Sequence, residues 1–176
     1  SLGGWLSSSF VTKLPPEDQP EKLILIDPSG IIGKPEEYPQ WRERFEKIFT
    51  EGRQHLRPHV FKNEPFWLRF VEAEFFYFLE TPEIQSFVRS MEPRHLVESR
   101  LDKIRSKTWV IWGELDTLIP AELSAEWLNR LTHPDSDPKL ILFSKSGHSP
   151  QLEATARTIA VMTQILIGKS PIEKLK

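Results

Sequence analysis

The 176 residues contain no cysteine, which excludes disulfides, thiolate zinc sites and a cysteine nucleophile. That absence fits an oxidising and a reducing compartment equally, so location stays open. A surplus of positive charge is missing too. Lys and Arg number 23 against 25 Asp and Glu, a formal net charge of -2, so there is no basic excess to hold a phosphate backbone and nucleic acid is not an expected partner. No apolar run approaches the roughly 20 residues that a membrane-spanning helix needs. The opening SLGGWLSSSF has neither a basic start nor a long apolar centre, and so does not read as a signal peptide. Internal repeats and low-complexity tracts are lacking as well. What is present is 39% hydrophobic residues over a length that supports one domain with its own core.

Along the chain, small and apolar residues from Leu2 to Leu14 predict a short helix, closed by Pro15 and Pro16 in the polar stretch PPEDQP. The run LILID, Leu23 to Asp27, is apolar on both faces and stops at Pro28, Ser29 and Gly30, the pattern of a buried parallel strand ended by a turn. The grammar returns as TWVIWG (Thr108 to Gly113), a helical segment from Pro120 through Trp127 and Leu131, and KLILFS (Lys139 to Ser144). Strand, helix, strand is the crossover that parallel neighbours require, and it predicts an α/β fold with reactive groups beyond the carboxyl ends of the strands. A last helix is expected over Leu152 to Ile167, its apolar stripe made by Ala156, Ile159, Ala160, Thr163 and Leu166 or Ile167.

Between the first two strands, Ile31 to Arg105 is charged and aromatic without strand-like runs, carrying Trp41, Phe45, Phe49, Phe66, Trp67, Phe70 and the block FFYF at Phe75 to Phe78. Several inserted helices are expected there, acting as a lid or cap over the active face of the sheet. FFYF, flanked by Glu72, Glu74 and Glu80, reads as packing for that cap, with an apolar inner face lining a pocket. An exposed apolar face would touch a membrane, and the acidic flanks argue against anionic lipid.

Three stretches carry candidate chemistry. SLGG places Ser1 and two glycines before a helix, WGELD puts Asp116 past one strand, and SGHS puts His148 past the next. A serine hydroxyl is a weak nucleophile until an imidazole takes its proton, and the imidazole needs a carboxylate to fix its tautomer and stabilise its cation. Glycines beside a nucleophile on a sharp turn let the backbone pack closely and turn its N–H groups toward substrate, Leu2 N–H among them.

These motifs resemble the alpha/beta-hydrolase fold. SLGG is similar to the second half of the G-x-S-x-G nucleophile elbow, WGELD to the loop carrying the acid, and SGHSPQLE to the histidine loop, in the order Ser, Asp, His. The resemblance spans nearly the whole chain, with the monoacylglycerol lipase and esterase branch nearest. It implies a mostly parallel sheet divided as 1–30 (hydrolase core with elbow helix and following strand), 31–105 (helical cap) and 106–176 (core with acid loop, histidine loop and last helix). It also implies strands and an oxyanion-hole loop ahead of Ser1, so the sequence is expected to be the C-terminal portion of such a fold, with the N-terminal half as its missing partner.

The activity so implied is a serine hydrolase acting on a small-molecule carboxylic ester through an acyl-enzyme. Ser1, Asp116 and His148 form the triad, Leu2 serves the oxyanion hole, and no metal or organic cofactor takes part. Carbon–carbon bond hydrolases of ring-fission products and non-catalytic ligand-binding relatives share the fold and stay open as alternatives. Haloalkane- and epoxide-opening relatives use an aspartate where this chain has Ser1. An N-terminal serine whose own amine is the base would need a sandwich of antiparallel sheets, which the crossover pattern does not suggest.

Other residues compete for these roles. Glu114 lies in the same loop as Asp116, and Asp27 ends the LILID strand, whereas Asp102 reads as a solvated charge before a strand. His55 and His59 stand at the spacing of a helical metal pair, but Pro58 is expected to interrupt that helix and no glutamate or cysteine completes a site. His95 and His133 read as surface residues.

Overall fold

The centre of the molecule is a single apolar strand. In the computed structural model, which describes residues 1–79 and 81–169, Lys107–Gly113 (β2) is buried at every position after the first. It lies between Lys22–Ile26 (β1) and Lys139–Phe143 (β3), and all three strands run parallel in the order β1-β2-β3. Ile24 faces Trp109 and Leu25 faces Val110, while Val110 faces Leu140 and Ile111 faces Ile141 on the other side. Side chains alternate between faces, so two cores form. Leu23, Leu25, Val110 and Trp112 join one cluster, and Trp109, Ile111, Ile141 and Phe143 the other. Each fully buried Val, Ile or Phe removes apolar surface worth about 1.5–3 kcal/mol.

The first face is covered by Leu2–Val11 (α1), by Leu123–Arg130 (α6) and by the helices between β1 and β2. Those are Tyr38–Thr50 (α2), Arg53–Val60 (α3), Leu68–Leu79 (α4) and Pro82–Arg89 (α5). Along α2, Tyr38, Trp41, Phe45 and Phe49 recur at helical spacing, and successive ring centroids stand 5.8, 5.1 and 4.7 Å apart. Phe76 of α4 is fully buried, whereas Phe66, Phe70 and Tyr77 are exposed. The side chains of Glu72, Phe75 and Phe78, and all of Glu80, lie outside the described residues. No described helix is long and apolar enough to cross a membrane.

Several expectations are corrected. The first helix stops at Val11, and Asp27 leaves β1 with φ of 40° rather than ending it as a strand residue. Pro58 does not interrupt its helix: α3 runs through it, because a proline this near the end of a short helix removes one carbonyl partner and leaves the earlier turn intact. The last helix is two pieces, Pro150–Glu153 (α7) and Thr155–Leu166 (α8), broken where Ala154 takes φ -132° and ψ 49°.

The inward stripe of α8 is Thr158, Val161 and Ile165, not the one expected. Ala156, Ile159, Thr163, Leu166 and Ile167 are exposed and Ala160 is half-buried. Both stripes have helical spacing. The break at Ala154 rotates the helix so that Val161 and Ile165 meet Ile111, Ile141 and Phe143 on the second face.

Candidate functional site

Both loops that leave β2 and β3 turn back over the carboxyl end of the sheet, and they bring an acid and a base together. His148 Nδ1 and Asp116 Oδ2 are 2.7 Å apart, and both side chains are buried. The other oxygen, Asp116 Oδ1, accepts the N–H groups of Leu118 at 2.8 Å and Ile119 at 3.0 Å, which pins the carboxylate. With Nδ1–H donated to Asp116, the ring presents Nε2 with its lone pair free, the tautomer a general base requires. Burial pushes the His148 imidazole below its ordinary pKa, and the hydrogen bond and charge of Asp116 pull the other way. The net direction is down, so the resting ring is neutral.

Ser1 stands at the carboxyl end of β1, on the edge that β2 does not use. Its nitrogen donates to the Ile26 carbonyl at 3.0 Å, and its carbonyl accepts the N–H of Ser29 at 3.2 Å and of Trp5 at 3.2 Å. It occupies the N-cap position of α1, yet its hydroxyl makes no capping hydrogen bond. Leu2 is the first residue of that helix, where an N–H has no intrahelical acceptor and the helix dipole is positive.

Ser1 and His148 line the same pocket, about 260 Å³, whose walls include Phe45, Phe49, Leu56 and Ile84 from the helices between β1 and β2. Among the described residues, no hydrogen bond joins the Ser1 hydroxyl to His148. The two glycines differ. A Cβ on Gly4 would stand 2.7 Å from Pro28 Cβ, so the close approach is real there, whereas Gly3 faces open space.

Asp27 completes a cluster that sequence reasoning treated as a competitor. Oδ1 accepts Gly113 N–H at 2.8 Å and Oδ2 is buried without a hydrogen-bond partner. One donor atom from each of Asp27, Asp116 and His148 lies within 4.8 Å of the others. Those are metal-ligating residue types, but the 2.7 Å between Nδ1 and Asp116 Oδ2 is a direct hydrogen bond, with no space for an ion between these two atoms. Burial first, and then the charge of Asp116, raise the Asp27 carboxyl well above the ordinary range, which favours its protonated form.

The remaining candidates fall elsewhere. Glu114 and Asp102 are exposed. His55 pairs with Glu51 at 3.4 Å, and His59 Nδ1 lies 2.9 Å from Thr117 Oγ1 in the acid loop. His95 is exposed and accepts Glu92 N–H, while His133, half-buried, accepts Asp135 N–H. Sequence reasoning missed Thr117, whose carbonyl accepts from Arg44, and Glu153, whose carboxylate meets the histidine loop. The last letter of SGHSPQLE was the available signal for Glu153.

A parallel sheet with an acid at the end of one strand, a histidine at the end of the next and helices inserted ahead of both is an alpha/beta-hydrolase fold. Solved structures agree. A candidate lipase from Acinetobacter baumannii AYE superposes with a TM-score of 0.73 at 22% identity, over 96% of this chain and 58% of its own. A membrane phospholipase A described as a bacterial virulence factor gives 0.68 at 18%, over 96% and 55%. The 2-hydroxy-6-oxo-6-phenylhexa-2,4-dienoate hydrolase of Rhodococcus sp. strain RHA1 gives 0.66 at 18%, over 96% and 62%. The chain thus spans less than two thirds of the length of each of these structures. No family model matches the sequence.

Proposed function

We propose that this chain carries the nucleophile, base and acid of a serine hydrolase that cleaves carboxylic esters. Ser1 Oγ attacks the ester carbonyl while His148 Nε2 takes its proton, forming a tetrahedral intermediate. Asp116 holds the imidazolium that results. Leu2 N–H, at the positive end of α1, donates to the oxyanion. Collapse expels the alcohol, which leaves with the proton from His148 and an acyl group on Ser1. A water then attacks, giving its proton to His148, and the acid departs as Ser1 recovers its proton.

The observation that carries the reading is the buried Asp116–His148 pair facing a pocket that His148 shares with Ser1. The pocket walls are mostly aromatic and aliphatic. Its volume, about 260 Å³, lies just below the roughly 300–1,000 Å³ usual for small-molecule sites, which suits an ester with a medium acyl chain. A monoacylglycerol is one ester of that kind.

Fluorophosphonate labelling of the full-length protein tests the assignment. Labelling at Ser1 is expected, and its loss in Ser1→Ala and His148→Ala. Asp116→Asn should reduce ester turnover by about 10⁴-fold, as loss of a triad acid's charge and of the tautomer it holds does. Because His148 sits below its ordinary value of 6.5, the acid limb of kcat/KM should fall below that pH. Undiminished labelling in His148→Ala would overturn the triad. Turnover of a vinylogous diketone in preference to esters would move the activity to carbon–carbon cleavage on the same residues.

A further inference from the structure

The helical insertion and the histidine loop meet at one side chain. Glu153, at the end of α7, accepts Gly147 N–H at 2.9 Å and Ser149 N–H at 3.4 Å through Oε1, so it holds the residues on either side of His148. Its Oε2 accepts Lys62 N–H at 3.0 Å and Asn63 N–H at 2.7 Å, in the segment between α3 and α4. A carboxylate is acceptor-only, and four N–H donors converging on it are a full set for its two oxygens. Two more contacts join the same segments. Asn63 Nδ2 donates to the Lys145 carbonyl, and a Cβ on Gly147 would stand 2.9 Å from Lys62 N, so the two backbones touch there.

We propose that Glu153 is a positioning residue that latches the inserted helices to the histidine loop, so that the cap wall of the pocket and the imidazole of His148 are held in register by one carboxylate. α3 supplies Leu56 and Val60 to the pocket wall, and Lys62 stands just past Phe61, the residue that caps its end. α3 and α2 are tied separately to the acid loop, by His59 at the Thr117 hydroxyl and by Arg44 at the Thr117 carbonyl, so releasing Glu153 loosens the segment after α3 while the helices themselves stay attached. The role in turnover rests on the hydrolase reading, whereas the latch itself does not.

The chemistry predicts how substitution fails. In Glu153→Gln one acceptor oxygen becomes an NH₂ group facing N–H donors, so the amide serves one loop and repels the other. Glu153→Ala serves neither. Hydrogen–deuterium exchange on the full-length protein should show protection falling about tenfold or more at residues 61–64 and 146–149 in Glu153→Ala, with β2 and α8 unchanged. In Glu153→Gln the loss should concentrate in one of the two segments.

With a p-nitrophenyl ester, kcat should fall and KM should rise together in Glu153→Ala, because base and pocket wall loosen at once. Unchanged protection at 61–64 would overturn the latch, as would a uniform loss that includes β2, the mark of general destabilisation. Loss confined to the two segments with ester turnover absent even in the unsubstituted protein would keep the latch and reject the hydrolase reading.

Discussion

Asp27 is the residue whose environment most sharply departs from its surface chemistry. Its backbone adopts a left-handed conformation, φ 40°, tolerated by aspartate better than by branched residues, and this swings the side chain under Gly113 and toward Asp116. Burial and the neighbouring carboxylate favour the protonated form. The sign for stability follows. Above the ordinary carboxyl value of 3.8 the unfolded chain releases this proton while the folded chain keeps it, so the folded state binds more protons and stability declines as pH rises toward the raised value. Asp27→Asn preserves an acceptor for Gly113 N–H and does not titrate. Its stability in urea should therefore improve relative to the parent as the pH rises above the ordinary carboxyl value of 3.8, and the gain should level off once the pH passes the raised value. A variant that loses ground over that range would show that Asp27 is ionised in the fold. Of these features the sequence displayed only an aspartate ending an apolar strand, since the proximity of Asp27 to Asp116 spans β1 and β2 and has no local signature.

Elements here are legible where one period dominates and ambiguous where two compete. β1, β2 and β3 stand close to where LILID, TWVIWG and KLILFS put them, because unbroken apolar runs bounded by turn residues leave few other solutions. α8 offered two apolar stripes, and only the sheet beneath it selects Val161 and Ile165. Glycines show the same limit. Gly113 and Gly147 look like any loop glycine in the sequence, yet a Cβ on Gly113 would stand 1.9 Å from the Gly147 carbonyl oxygen. The end of β2 and the histidine loop are in backbone contact, with no room for a methyl group. Gly113→Ala should therefore displace the His148 loop and cost more than about 2 kcal/mol in chemical denaturation, as overpacking at a rigid site does. Gly3→Ala, in open space on a helix, should cost nothing or add a few tenths. Equal effects at the two positions would contradict this packing.

At the scale of the molecule, the inserted helices and the sheet share one apolar cluster, in which Phe45, Phe76 and Val88 belong with Val110, Trp112 and Trp127. A cap with its own separate core would unfold alone. This one should not. Phe76→Ala, which empties a fully buried aromatic position in α4, is expected to lower stability by about 3–5 kcal/mol in a single transition. Tryptophan fluorescence, dominated by buried indoles such as Trp112, and far-ultraviolet circular dichroism should then move together. Two separated transitions would show that the insertion is an independent unit.

Local patterns along the chain were enough for the parallel strands, the helical character of the segment between the first two, and the order of a serine, an aspartate and a histidine. Each of these is written in local periodicity or in a short run of residues. Contacts between distant segments set the buried carboxyl of Asp27 beside Asp116, which face of α8 turns inward, and the reach of Glu153 to two loops at once. The physical reason is common to all three: hydrogen bonds and close packing act over a few ångströms in space, between groups as far apart in the chain as Lys62 and Glu153, and no spacing rule in the sequence encodes which distant groups the fold will bring within that range.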